Sequence, residues 1–211
     1  QVTLGQSTPG ARPVFLSQVH GTGVAALTAS TPDNTEADAC VATDAGVVCT
    51  IMVADCLPVL LAHTSGAVVG AAHAGWRGLA GQSGVGVLES VMRALFERFQ
   101  ALALTSKAQA AIENVANNAE SFETVARGTL AWLGPCIGPQ AFEVGPEVRE
   151  AFCAAGPQYS ACFVPSPTQQ GKWLADLAGL ARLRLQAMGV TRIDGNDSSA
   201  AWCTVTQSAR F

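Results

Sequence analysis

Three short stretches of the chain combine a histidine or a cysteine with an adjoining apolar run and a nearby glycine or proline. The first, QVHG, contains His20; the second, ADCLPVLL, contains Cys56; the third, AAHAGWRGL, contains His73. Strand ends that run into glycine turns can hold side chains rigidly at the mouth of a cleft. Two imidazoles and one thiolate with an open fourth position form a ligand set of catalytic zinc, which lowers the pKa of a bound water toward ~7.

The same three residues also permit other interpretations. They lie far apart in the sequence and not in a compact CxxC-type motif, so their spacing alone is weak support for a metal. Without a metal, Cys56 would be a small buried apolar side chain and the histidines would be hydrogen-bonded core residues. A further possibility is a metal-free cysteine hydrolase or deamidase, in which Cys56 is the nucleophile and His73 is the base that generates its thiolate.

Four more residues are candidates for contacts with a substrate. Arg77 is predicted to lie outside any helix in a glycine-rich turn, where beside Gly75 it could clamp a phosphate or a carboxylate. A plain surface arginine is the alternative. Gln18 precedes His20 by two residues and should therefore point to the same side of a strand. Gly138 lies in GPCIGPQAFEVG, whose glycines and free backbone N–H groups suit an anion- or ribose-binding turn.

Two polar residues near these motifs are predicted to have no direct role. Asp55 should face away from Cys56 if a strand continues through both residues, which favours a supporting role or a place in a turn. His63 is predicted to be a solvated residue of a hairpin turn. The chain contains three histidines in total, so it can supply one site of two imidazoles and a thiolate but not a cluster of several coppers.

The composition narrows the class of protein. The chain has 211 residues, with 12 Lys plus Arg against 16 Asp plus Glu and a net charge of −4, which argues against a nucleic-acid partner. Seven cysteines, an odd number, argue against a disulfide scaffold and for a reduced, cytoplasmic protein. The apolar stretch 45–62 carries Asp55 and Pro58, so we predict two strands that meet at a turn and no membrane partner.

The apolar pattern also predicts the elements that must position these residues. Runs typical of strands occur at 13–19, 46–53, 58–62 and 67–73. A glycine-rich loop over 75–86 leads into a helix, and residues 101–123 are expected to be helical as well. The apolar stripe of the first helix consists of Val85, Leu88, Met92, Leu95 and Phe99. Strands and helices follow no regular βαβ alternation, so we predict one α+β domain over 1–211, a layered sandwich of mixed sheets flanked by helices.

Taken together, the motifs resemble the YfiH-type family, whose members are labelled purine nucleoside phosphorylase, multicopper polyphenol oxidase or laccase-domain protein. QVHG, ADCLPVLL, AAHAGWRGL and GPCIGPQAFEVG occur in the family's order over residues 18–145, and MGV followed by WCT extends the resemblance to Thr204. The resemblance implies that His20, Cys56 and His73 bind zinc, or copper, at an active site. It also implies a layered α/β sandwich shared with bacterial cysteine deamidase toxins.

An activity is implied by the same resemblance. It predicts phosphorolysis of adenosine, inosine and methylthioadenosine to the free base and ribose 1-phosphate, with nucleoside and phosphate as partners and zinc as cofactor. Adenosine deamination at the same site is also expected, although the chain has no HxE motif to supply the usual proton-carrying glutamate. Copper-dependent oxidation of polyphenols is the alternative. Family members usually have further segments before QVHG and after the CT motif, and we expect the single domain to lack them.

Overall fold

The computed structural model describes residues 8–110 and 120–211. Within these ranges it contains twelve strands, five α-helices and short 3₁₀ helices at Pro157–Cys162 and Ala200–Trp202. The strands are β1 (Arg12–Ser17), β2 (Val24–Leu27), β3 (Thr35–Glu36), β4 (Ala39–Ala42), β5 (Val47–Thr50), β6 (Leu57–His63), β7 (Val69–Ala74), β8 (Thr129–Leu133), β9 (Glu143–Val144), β10 (Phe163–Pro165), β11 (Trp173–Ala175) and β12 (Arg192–Gly195). The helices are α1 (Trp76–Ala80), α2 (Val87–Ala110), α3 (Phe122–Arg127), α4 (Pro146–Cys153) and α5 (Leu177–Ala187).

The main sheet is mixed and has the strand order β12-β8-β6-β7-β4-β2. Strand β6 pairs antiparallel with both β7 and β8, whereas β2 runs parallel to β4 and β12 runs parallel to β8. Leu57, Val59 and Leu61 alternate along β6 and are buried, as the two-residue period of a strand requires when one face meets a core.

Helices cover one face of this sheet. Three residues of the predicted stripe, Leu88, Met92 and Leu95, lie on α2 and are fully buried in the large core that also contains Leu57 and Val59 of β6. Helix α5 adds the fully buried Leu177, Leu180 and Leu185 to the same core. The apolar residues that repeat with the helical period are therefore the ones through which α2 packs against the sheet.

A second, parallel sheet of three strands, in the order β3-β1-β5, packs on the other side of β4 and β7. Val14 and Leu16 of β1 are buried with Cys40 of β4 and Ala71 of β7 in a smaller core. A third sheet, β10-β11-β9, is antiparallel. The packing of β1 against the main sheet is what brings the segment after β1 close to β7.

The predicted fold class, a layered α+β sandwich of mixed sheets with helices, is confirmed. The four predicted strands correspond to β1, β5, β6 and β7, with ends shifted by up to three residues. Within the stretch 101–123, α2 continues to Ala110 and α3 begins at Phe122, while residues 111–119 lie outside the described ranges. In the part of the chain that the structure describes, no helix combines the length and apolar character needed to cross a membrane.

The prediction that His63 is a solvated turn residue is wrong. His63 is the last residue of β6 and only 9% exposed. Its Nδ1 is 2.8 Å from the hydroxyl of Ser65, and its ring centroid lies 4.4 Å from that of Phe99 on α2. The strand extends one residue further than its apolar run, because His63 can satisfy its polar nitrogen locally while its ring packs against the helix.

Candidate metal centre

His20, Cys56 and His73 meet where β1, β6 and β7 approach one another. Each offers one ligand atom, and the three atoms lie within 4.8 Å of one another. The Sγ of Cys56 is 3.8 Å from Nε2 of His20, and the centroids of the two imidazole rings are 4.7 Å apart. His73 is buried, Cys56 is half-buried and His20 is exposed, so the cluster reaches from the core to the surface.

Strand register explains how residues distant in the sequence become neighbours. Cys56 immediately precedes β6, whose second residue, Pro58, pairs with His73 near the end of β7. His20 follows β1, whose sheet is packed against β7 through the smaller core. The cluster therefore depends on contacts between two sheets and not on any local motif.

The donor set fits a metal ion. Zinc bonds of about 2.3 Å to sulfur and about 2.0 Å to nitrogen hold tetrahedral ligands about 3.3–3.7 Å apart, close to the observed separation of Cys56 Sγ and His20 Nε2. Two imidazoles and a thiolate suit zinc or copper better than the hard cations magnesium and calcium. The chemistry of the donors indicates a metal of this borderline class.

Asp38 is the polar residue at this site that the sequence analysis missed. It precedes β4, is 0% exposed, and its Oδ1 lies 2.9 Å from Nδ1 of His73. An ionised carboxylate only accepts hydrogen bonds, so this contact requires a proton on Nδ1 of His73, and the neutral ring would then have Nε2 free for a metal. A signal was present in the sequence: Asp38 is a single acid between two alanines at the start of an apolar strand.

Hydrogen bonds keep Asp38 ionised despite its burial. Burial by itself would raise the pKa of this carboxyl group. The hydrogen bond from His73 and those from the backbone N–H groups of Gly21, Val19 and His20 outweigh that effect, so the pKa of Asp38 lies below its ordinary value. The residue is thus a buried negative charge directly behind the ligand cluster.

Two glycines allow the ligand segments to approach closely. A Cβ on Gly75 would lie 2.9 Å from Sγ of Cys56 and 3.0 Å from Cδ2 of His20, and a Cβ on Gly78 would lie 2.6 Å from the carbonyl oxygen of Gly21. The backbone of His20 has a φ of 62°, in the left-handed region that residues other than glycine seldom adopt. Gly75, predicted as a substrate contact, lies directly against the candidate ligands Cys56 and His20.

The thiol of Cys56 is held in its neutral form in the absence of a cation. Burial and then the negative charges of Asp55 and Asp38 raise its pKa above the ordinary value. The imidazole within reach of its sulfur is that of His20, whereas Nδ1 of His73 is bonded to Asp38. The raised pKa leaves little thiolate in the absence of a cation, which disfavours a metal-free nucleophile, and a bound cation would favour the thiolate.

An open cavity of about 700 Å³ lies in front of the cluster. Gln18 lines it, as does Met52, but the Gln18 amide is bonded on both sides to the Met52 backbone: Nε2 donates to the carbonyl at 2.8 Å and Oε1 accepts from the N–H at 2.9 Å. Gln18 therefore fixes the segment before Cys56. The residues that line the cavity are Leu16, Ser17, Gln18, His20, Asn34, Met52, Val53, Ala54, Asp55, Cys56 and His73.

The remaining candidates lie in different places. Arg77 is on helix α1, contrary to the prediction that it lies outside any helix; its exposed guanidinium stacks 4.6 Å from the ring centroid of Trp76. The N–H of Gly138 donates to Sγ of Cys203 at 3.2 Å and is not available to a ligand. Asp55 lines the metal-site cavity, because β6 begins only after Cys56, and its Oδ1 accepts a 2.6 Å hydrogen bond from Thr204.

The chain is similar to known proteins over nearly all of its length. A family model described as multi-copper polyphenol oxidoreductase laccase matches residues 3–112 and 105–211. The chain is 43% identical over 201 residues to the purine nucleoside phosphorylase YfiH of Escherichia coli K12. The aligned region covers 95% of this chain and 67% of the relative. The chain is 42% identical over 200 residues to the purine nucleoside phosphorylase PA4543 of Pseudomonas aeruginosa, with the same coverage.

Solved structures share the fold. Protein NMB0706 of Neisseria meningitidis matches with a TM-score of 0.71 and 36% identity, over 97% of this chain and 69% of that protein. YlmD of Geobacillus stearothermophilus matches with a TM-score of 0.66 and 24% identity, over 97% of this chain and 68% of that protein, and shows a likeness of fold alone. The chain thus spans about two thirds of the length of the relatives that it matches.

Proposed function

This chain belongs to the multi-copper polyphenol oxidoreductase laccase family, which includes the YfiH-type proteins, and on that premise we propose that it is a zinc-dependent purine nucleoside phosphorylase. The observation that carries the proposal is the convergence of His20, Cys56 and His73 at an open cavity. Adenosine, inosine and methylthioadenosine are the proposed substrates. Adenosine deamination at the same centre is the proposed second activity.

His20, Cys56 and His73 would hold the metal. When bound, zinc would supply Lewis-acid activation of an oxygen nucleophile: phosphate would replace the purine base at ribose C1′ as the bond to N9 breaks, and water would replace ammonia at adenine C6. Three protein ligands leave part of the coordination shell open to the cavity, as in catalytic rather than structural zinc sites. His20 is exposed and lines the cavity, so a metal held by these residues would be reachable from solvent.

The walls of the cavity suit a nucleoside. Met52 is 53% exposed and Val53 is 39% exposed, so both offer apolar surface on which a purine ring can pack. Asn34 and Asp55 line the same cavity and can bond the donors of a base edge or of ribose hydroxyls. The lining therefore offers an apolar surface for a flat ring and polar groups for a hydroxylated part of a small ligand.

Phosphate needs a cation that the cavity wall does not provide. Among the described residues that line the cavity there is no lysine and no arginine. Arg77 follows His73 by four residues and its guanidinium is exposed on α1, so we assign phosphate binding to Arg77. A guanidinium can bind phosphate through two parallel hydrogen bonds.

The deciding experiment incubates purified protein with adenosine and phosphate, with and without added zinc, and identifies the products. Ribose 1-phosphate with adenine supports phosphorolysis, and inosine supports deamination. Cys56→Ala should lose stoichiometric zinc and both activities, whereas Cys153→Ala, a half-buried thiol on α4, should keep them. Full zinc content in Cys56→Ala would contradict the metal assignment.

Copper-dependent oxidation of polyphenols is the second candidate, because the matching family model carries that description. The third histidine, His63, packs against Phe99 and bonds Ser65 rather than joining the cluster. The chain can therefore hold a single copper at the His20, Cys56 and His73 site, where copper binds more tightly than zinc. Phenol oxidation that requires copper, with no nucleoside product, would replace the first proposal with this one.

A further inference from the structure

We propose that Asp38 is the positioning residue of the metal centre, a single carboxylate that sets the tautomer of His73 and the backbone position of His20. This inference rests on the metal centre of the proposed function. It concerns a residue that would touch neither substrate nor metal, and it assigns to that residue the relative placement of two of the three ligands.

The contacts of Asp38 form a closed set. Oδ1 accepts from the His20 N–H at 2.8 Å and from Nδ1 of His73 at 2.9 Å. Oδ2 accepts from the N–H of Gly21 at 2.7 Å and from the N–H of Val19 at 3.2 Å. Four donors on two oxygens use the accepting capacity of an ionised carboxylate, and the residue is 0% exposed, so water does not complete or compete with this set.

The two ligand segments are thereby tied to one group. Three consecutive N–H groups, from Val19 to Gly21, point at the same carboxylate and hold His20 in its left-handed conformation. The backbone of Asp38 adds a further link, because its carbonyl accepts from the His73 N–H at 2.7 Å. A shift of this carboxylate would therefore move His20 and His73 together, whereas Cys56 is held separately at the start of β6.

The charge of Asp38 also complements the centre. Two neutral imidazoles and one thiolate leave a divalent cation with one uncompensated positive charge, and Asp38 supplies the matching negative charge through His73. Such carboxylate–histidine pairs orient the ring and raise its basicity, and their loss typically weakens metal binding 10–100-fold. An asparagine cannot reproduce this arrangement, since its NH₂ group would face N–H donors in place of an oxygen.

The test measures cobalt(II) binding by the wild type and by Asp38→Asn, using the d–d and thiolate charge-transfer absorption bands. The expected result is about 10–100-fold weaker binding and a changed d–d spectrum in Asp38→Asn, with unchanged far-UV circular dichroism. Asp33→Asn is the matched control, because Asp33 also accepts a backbone N–H, that of Phe15 at 3.0 Å, but touches no ligand. Its cobalt affinity and spectrum should equal those of the wild type.

A second measurement avoids the variant altogether, in case Asp38→Asn fails to fold. Nitrogen-15 spectra of the three histidines in the metal-free wild type should show His73 with its proton on Nδ1. A neutral His73 with its proton on Nε2 and none on Nδ1 would overturn the proposal, as would unchanged cobalt affinity and spectrum in folded Asp38→Asn. If the wild type itself fails to bind cobalt at His20, Cys56 and His73, the metal centre of the proposed function fails first, and the positioning role falls with it.

Discussion

Gly75 lies against both Cys56 and His20. The Gly75→Ala substitution would place a Cβ 2.9 Å from the Cys56 sulfur and 3.0 Å from the His20 ring, closer than a Cβ is normally found to such atoms. Both ligands must move apart to accept it, and a metal site tolerates little displacement of its ligands. We expect zinc affinity to fall at least about tenfold, measured by competition with a chromophoric chelator.

Gly23→Ala provides the control for Gly75→Ala. The Cβ of that variant would meet only the Ala37 Cα, at an ordinary 3.7 Å, and Gly23 has no positive φ. Its zinc affinity should match that of the wild type, which separates a steric effect at the centre from a general effect of adding a methyl group. Equal affinities for Gly75→Ala and Gly23→Ala would show that the ligands can relax around the added carbon.

At the level of single residues, the sequence predicted those site residues whose immediate neighbours mark them. His20, Cys56 and His73 are each marked by a glycine or proline neighbour at a strand end, and the structure brings them together. Asp38 carries almost no such signal, because its importance comes from hydrogen bonds to residues 17 to 35 positions away. A single sequence does not predict which distant backbone N–H groups will donate hydrogen bonds to a buried carboxylate.

Among the elements, α5 is joined to the turn between α1 and α2 by one buried arginine. Arg184 is 1% exposed, and its guanidinium donates to the carbonyls of Ala80 at 3.1 Å and Gly84 at 3.2 Å. It also donates to Oε1 of Glu89 at 2.9 Å, on the first turn of α2. The turn that follows the ligand-bearing β7–α1 segment is thus fixed from the opposite side of the core.

Arg184→Met should destabilise the protein by about 2–4 kcal/mol, because it leaves the carbonyls of Ala80 and Gly84 without this donor and removes the charged partner of Glu89, which keeps the N–H of Gly86. The Glu89 side chain is 20% exposed, so water can solvate its carboxylate in the variant. The expected loss of stability is therefore smaller than for a fully buried ion pair. Urea unfolding measures the change in the free energy of unfolding.

Arg127→Met on α3 is the control: its ion pair with Glu123 is about two-thirds exposed on both sides and should contribute less than about 1 kcal/mol. Equal losses in the two variants would show that Arg184 makes no special contribution.

Element types were more predictable than element ends. The stripe of Leu88, Met92 and Leu95 indicated α2 because its period matches a helix, yet the helix begins at Val87 and leaves Val85 outside, 41% exposed. The Val85 backbone pairs instead with Gln82 in a tight turn. The glycines around Arg77 favour a turn and predict a loop there, but a short helix, α1, forms against the core.

At the scale of the whole molecule, the centre joins two sheets. His20 follows a strand of the three-stranded sheet, whereas Cys56 immediately precedes β6 and His73 lies on β7, two neighbouring strands of the six-stranded sheet. The sequence could suggest that the three residues converge, but the packing of one sheet on the other was not contained in any local pattern. A metal bound here would act as a cross-link between two layers of the fold.

This cross-link predicts that zinc stabilises the whole protein. The three ligands are scattered in the unfolded chain, with His20 and Cys56 separated by 36 positions, so the complete site exists only in the native state. At a free zinc concentration of about 100 times Kd, binding to the native state alone adds about 2.7 kcal/mol. For a domain of this size that corresponds to a rise in Tm of roughly 5–10 °C, measured by differential scanning fluorimetry with zinc and with a chelator.

Cys56→Ala should have the same Tm with zinc and with the chelator, whereas Cys153→Ala should keep the zinc-dependent rise. A rise of equal size in Cys56→Ala would place the stabilising metal elsewhere, and no rise in the wild type would mean that the two layers are not joined through a metal.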